Sequence, residues 1–66
     1  MKLSKSAVNA VSRHINSLLV YTTMVSNARE KRDFEKMNNA MQWYNEAADA
    51  LISMGVPVIK YKLEKE

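Results

Sequence analysis

Apolar residues recur at steps of three and four along two separate stretches, and each stretch reads as an amphipathic helix. Between Ser4 and about Ala28 the main stripe is Val8, Val11, Ile15, Leu18, Thr22 and Val25. A smaller, more polar stripe lies beside it: Ala7, Ala10, His14, Ser17, Tyr21, Met24 and Ala28. Asn9, Asn16, Thr23 and Asn27 cover the remaining face. From Phe34 to about Met54 the double pattern returns. The main stripe is now Phe34, Met37, Met41, Tyr44, Ala48 and Leu51, with Ala40, Trp43, Ala47, Ala50 and Met54 next to it. Glu35, Asn39, Gln42, Glu46, Asp49 and Ser53 are left for water.

No Gly or Pro separates the two stretches, so phase decides whether a turn does. Carried past Val25, the first main stripe lands on Arg29, Arg32, Lys36 and Asn39. Carried past Ala28, the second lands on Lys31, Glu35, Asn38 and Gln42. Both turn polar just where a new apolar stripe starts at Phe34. One continuous helix would throw its core face to solvent, so a turn near residues 29–33 is predicted, with Asp33 as N-cap of the second helix. Gly55 stands where a left-handed residue ends a helix, and Pro57 cannot continue one. The tail, residues 56–66, then alternates: Ile59, Tyr61 and Leu63 on one side, Lys60, Lys62 and Glu64 on the other. That is a strand pattern in a chain with no second strand. The tail must pair with another subunit, pack on helices, or fray.

The fold class expected is all-α. Residues 1–66 form a single helical-hairpin domain, with antiparallel helices at about 4–28 and 33–54 and a short strand-like tail. Two apolar stripes per helix exceed what a two-helix hairpin covers, so one stripe closes the hairpin and the other is left for a partner. Assembly into a helical-bundle homo-oligomer follows. The chain is 66 residues long and 47% apolar, with one Gly and one Pro, which fits long helices. It is also near the size at which a core alone stabilises a fold.

The composition removes several function classes. The absence of cysteine rules out disulfides and thiolate metal sites, and a single His cannot build a zinc centre. There is no Ser-His-Asp material and no glycine-rich phosphate loop. No catalytic residue, metal site or cofactor is expected, and the reading is a non-enzymatic binding protein. Met1-Lys2-Leu3-Ser4-Lys5 opens like a signal peptide, but Asn9, Ser12, Arg13 and His14 interrupt it at once. The most apolar stretch, Leu18 to Val25, is too short to span a bilayer. A cytoplasmic protein without a membrane partner is expected.

Net charge is +3, unevenly spread. Residues 1–29 hold Lys2, Lys5, Arg13 and Arg29 and no acid; residues 37–55 hold Glu46 and Asp49 and no base. The cluster Arg29-Glu30-Lys31-Arg32, followed by Lys36, is the best anion site in the chain, or else a solvated polar turn. Guanidinium groups bind phosphate in a two-pronged fashion, and the second helix would aim its N-terminal amides at the same place. Tyr21, Trp43 and Tyr44 read first as core, although an aromatic at a stripe edge can stack on a base. His14 reads as a packed interface residue. The methionines suit an adaptable core.

The segment from Ala28-Arg29-Glu30-Lys31-Arg32 through Met37, Ala40 and Trp43 to Ala47-Ala48 resembles the helical-hairpin domain of phage cyclic-nucleotide sponges. These are the anti-CBASS and anti-Thoeris proteins, which sequester the signalling nucleotides of bacterial immunity. That family has an Arg-Glu turn, apolar residues at helical spacing, an Ala, a Trp three residues later, then small residues. Arg29, Glu30, Met37, Ala40 and Trp43 occupy the matching positions. The match covers about a third of the chain; Phe34 and Met37 stand where aliphatic residues are expected, and the first helix and tail lie outside it. The resemblance implies a small homo-oligomer, phage-encoded and acting in the host cytoplasm, that binds cyclic di- or trinucleotides without cleaving them. Arg29 and Lys31 would then meet phosphate, and Tyr21 or Trp43 a base.

Two other functions fit the pattern. One is an RNA-binding helical-hairpin dimer, against which the modest net charge and the acids Glu30, Asp33 and Glu35 within the basic cluster both count. The other is a small inhibitor or adaptor that presents its spare stripe or its tail to a host protein.

Overall fold

In the computed structural model, which describes residues 4–63, two helices stand side by side: α1, Lys5–Glu30, and α2, Phe34–Ser53. Their ends fall within two residues of the expected ones, which is the usual uncertainty of a helix boundary. The Ser4 side chain accepts a hydrogen bond from the Ala7 N–H at 3.1 Å and caps α1. Hydroxyls inside α1 turn back onto the preceding turn: Ser17 donates to the Arg13 carbonyl at 3.2 Å and Thr23 to the Leu19 carbonyl at 3.1 Å.

Both helices end in the same way. At the end of α1 the Asp33 N–H donates to the Ala28 carbonyl (2.9 Å) and the Arg32 N–H to the Arg29 carbonyl (3.0 Å). At the end of α2 the Val56 N–H donates to the Leu51 carbonyl (2.9 Å) and the Gly55 N–H to the Ile52 carbonyl (3.0 Å). This paired pattern needs a left-handed residue between the helix and the exiting chain. Gly55 supplies it at φ 88°, as expected. In the first turn Arg32 takes that role at φ 59°, a conformation that costs a side-chain-bearing residue about 1–2 kcal/mol. Asp33 follows directly as the N-cap of α2 and accepts from the Lys36 N–H at 3.2 Å. One residue thus closes α1 and opens α2, so the chain reverses without Gly or Pro.

The helices pack along small residues. Ala28, Ala40 and Ala48 are fully buried together with Val25 and Leu51, and Leu51 is the one large side chain among them with essentially no exposure. Alanine at these points lets the helix backbones approach closely. The stripe that closes α1 onto α2 is largely the smaller one: Ala7, Ala10, His14, Ser17, Tyr21 and Met24 are half-buried. From the main stripe, Val8, Ile15 and Thr22 stay exposed, while Val11 and Leu18 are half-buried. The spare face of α1 is therefore the more aliphatic one, a choice the stripes by themselves left open.

After Gly55 and Pro57 the chain turns back along α2. No strand forms among the described residues; the tail is extended chain held by side chains of its own α2. Lys60 pairs with Asp49 at 2.8 Å, Tyr44 donates its hydroxyl to the Ile59 carbonyl at 2.9 Å, and Asn45 bonds the backbone of Tyr61. The ring of Tyr61 meets that of Tyr44 edge-on at 4.7 Å. The expected alternation breaks at Ile59, which is 87% exposed, whereas Val56, Val58, Tyr61 and Leu63 are half-buried. Without a backbone ladder nothing enforces period two. The expected placement of Glu64, and of the chain ends on either side of residues 4–63, lies outside the described residues. The Cα envelope measures 43 × 22 × 12 Å. No helix among the described residues is long and apolar enough to cross a membrane.

Candidate functional site: a cleft at the turn end

Around the Lys31–Asp33 turn, the last turns of α1 and the first turns of α2 flank two adjoining depressions of about 260 and 220 Å³. Met24, Asp33 and Lys36 line both, so they form one cleft. At one end are Asn27, Ala28 and Lys31; at the other are Glu35, Asn39 and Trp43. From Lys36 to Trp43 is seven residues of helix, roughly 10 Å. Lys36 and Trp43 thus lie two turns apart on one flank of α2. The Tyr21 ring lies 6.0 Å from the Trp43 ring, inclined at 46°, and so backs the indole from α1. Trp43 itself is 44% exposed and so is not a core residue.

Of the residues read from the sequence as a site, the fold brings Lys31, Trp43 and Tyr21 to this end of one face. It does not bring Arg29. That residue is exposed, and at two positions from Lys31 it is turned about 200° around α1, away from the cleft. Its carbonyl, not its guanidinium, is engaged, in the turn. Lys36 takes its place as the second cation. It belongs to the basic cluster already read from the sequence, and the periodicity of α2 puts it on one flank with Trp43, seven residues further on.

The electrostatics are mixed. Lys31 and Lys36 face Asp33 and Glu35 in the same lining, yet among the described residues neither lysine is held in an ion pair. Asp33 occupies the Lys36 amide. The expected N-terminal amide cradle of α2 is partly filled by its own cap, which leaves the lysine ammonium groups as the principal anion donors. Asn27 and Asn39 add both donors and acceptors suited to a base edge or sugar. His14 is half-buried in the helix seam and outside the cleft lining.

No protein-family model matches this chain, and no similar curated protein or solved structure was found.

Proposed function

We propose that this protein is a non-enzymatic binder that sequesters a compact, phosphate-bearing nucleotide, of the cyclic di- or trinucleotide class, and works as a homo-oligomer. The observation that carries the reading is the shared cleft: Lys31 and Lys36 line it with Trp43, and Tyr21 supports the indole. Two ammonium groups suit phosphates and an exposed indole suits a base. Asp33 and Glu35 in the same lining limit the affinity for a long polyanion, which favours a small cyclic ligand over RNA. The partial resemblance to phage cyclic-nucleotide sponges points the same way, including a role in the host cytoplasm. The exposed Val8, Ile15 and Leu19 of α1 support the oligomer, because assembly would take them out of water.

The test is direct. Purified protein is exposed to a panel of cyclic oligonucleotides, washed, denatured, and the supernatant separated by chromatography. Release of one of them intact is expected. Retention of none ends the proposal, and release of a cleaved product replaces binding with catalysis.

A further inference from the structure

α1 carries an exposed strip whose spacing is the same read from either end. Val8, Ser12, Ile15, Leu19, Thr22 and Ser26 follow one another at steps of four, three, four, three and four, the spacing of a helix-pairing seam. All six are exposed, with Val8 at 46%, Ile15 at 42% and Leu19 at 64%. No charge falls on the strip. Arg13, the one permanently charged residue between Ser6 and Ala28, lies about 140° around the helix from Val8 and Ser26.

We propose that a second copy of this chain covers the strip, α1 against α1 and antiparallel, about a two-fold axis level with Ser17. The inference rests on the homo-oligomer part of the function proposed above and names its surface. In that register Ile15 faces the Leu19 of the other copy, Ser12 faces Thr22, and Val8 faces Ser26. The large side chains meet at the centre, and each outer aliphatic meets a small residue. Charges fall at the ends and are complementary. Lys5 and Glu30 lie on the same edge of the strip, about 20° apart, so each Glu30 comes within about one residue of level with the other copy's Lys5. A two-fold axis sets this up twice. An uncharged, self-complementary strip with opposite charges at its two ends suits a second copy better than an acidic, basic or nucleic-acid partner. The pairing covers the strip and leaves the Trp43 cleft open, since Met24 and Lys31 lie about 140° and 120° around α1 from Leu19.

Light scattering on the full chain, with cysteine cross-linking, tests this. The parent should have twice the 7.6 kDa chain mass or an even multiple of it. Leu19→Glu should halve that mass, whereas Val20→Glu, exposed but one step around the helix, should leave it unchanged. Cysteine variants separate loss of pairing from loss of folding, since the parent has no cysteine. Oxidised Ser12→Cys/Thr22→Cys should give a covalent dimer, while each single variant stays uncross-linked, its two thiols being about ten residues, roughly 15 Å, apart along the axis. A parent that is a single chain at high concentration overturns both this pairing and the oligomer reading, and assigns the strip to a foreign partner. An oligomeric parent whose double variant does not cross-link, or whose single variant does, overturns this pairing alone.

Discussion

Asn45 and Tyr61 exchange two hydrogen bonds, each 2.9 Å long: the Asn45 side-chain N–H donates to the Tyr61 carbonyl, and the Tyr61 N–H donates to Asn45 Oδ1. A side-chain amide here does what a neighbouring strand would do, satisfying both main-chain groups of one extended residue. That is how a tail with strand-like composition is held in an all-helical chain. It also gives a sharp first prediction. Asn45→Ala should lower stability by about 1–3 kcal/mol, because both Tyr61 groups lose their partner in a partly buried place. Urea unfolding measures the loss, and amide exchange at Tyr61 should accelerate more than exchange at Val25. Equal protection of Tyr61 in the parent and the variant would show that the tail is held by other contacts.

The two left-handed helix ends predict opposite signs for glycine exchange. Arg32→Gly should stabilise the protein by about 0.5–1 kcal/mol, as the relief of the strained φ exceeds the added chain entropy. Gly55→Ala should destabilise it by about 1 kcal/mol through backbone conformation alone, since a Cβ there meets nothing within 4 Å. Thermal melts of the two variants check both signs.

Asp33 ends one helix and begins the next. Asp33→Ala removes the cap on the Lys36 amide and should cost about 1 kcal/mol. Asp33→Asn keeps a capping oxygen and should restore most of the loss. It also removes a negative charge from the cleft, so anion affinity should rise. A fall in both stability and affinity for Asp33→Asn would contradict the assigned geometry.

The cleft itself predicts an order among the basic residues. Lys31→Ala and Lys36→Ala should each weaken cyclic-nucleotide binding several-fold or more, since charge-assisted bonds are about twice as strong as neutral ones. Arg29→Ala should change it little. Isothermal calorimetry ranks them, and Arg29 as the most sensitive position would move the site to the opposite flank of α1.

Trp43 is the only tryptophan, so its fluorescence reports on the cleft directly. A stacked base should quench it in a saturable way. Trp43→Ala should cost about 1–2 kcal/mol of stability, less than the ~3–5 of a fully buried aromatic, because the indole is half in water. An unchanged emission at saturating ligand would remove the indole from the binding surface.

The two helices, a turn within residues 29–33, the Asp33 cap and the stop at Gly55 were determined by the sequence itself. Each depends on residues within a turn or so of one another: stripe phase, capping oxygens, one glycine. Several features were decided only by tertiary structure. Which of two adjacent stripes closes the hairpin turned on where Ala28, Ala40 and Ala48 let the backbones meet, and that is a property of both helices at once. That choice of face put Lys31, and not Arg29, on the cleft side of α1. Asn45 carries no local sign of its role, because its partner lies sixteen positions away in an extended tail whose path no local pattern specifies. Period and capping are read between neighbours along the chain; helix facing and tail docking are settled by contacts across it.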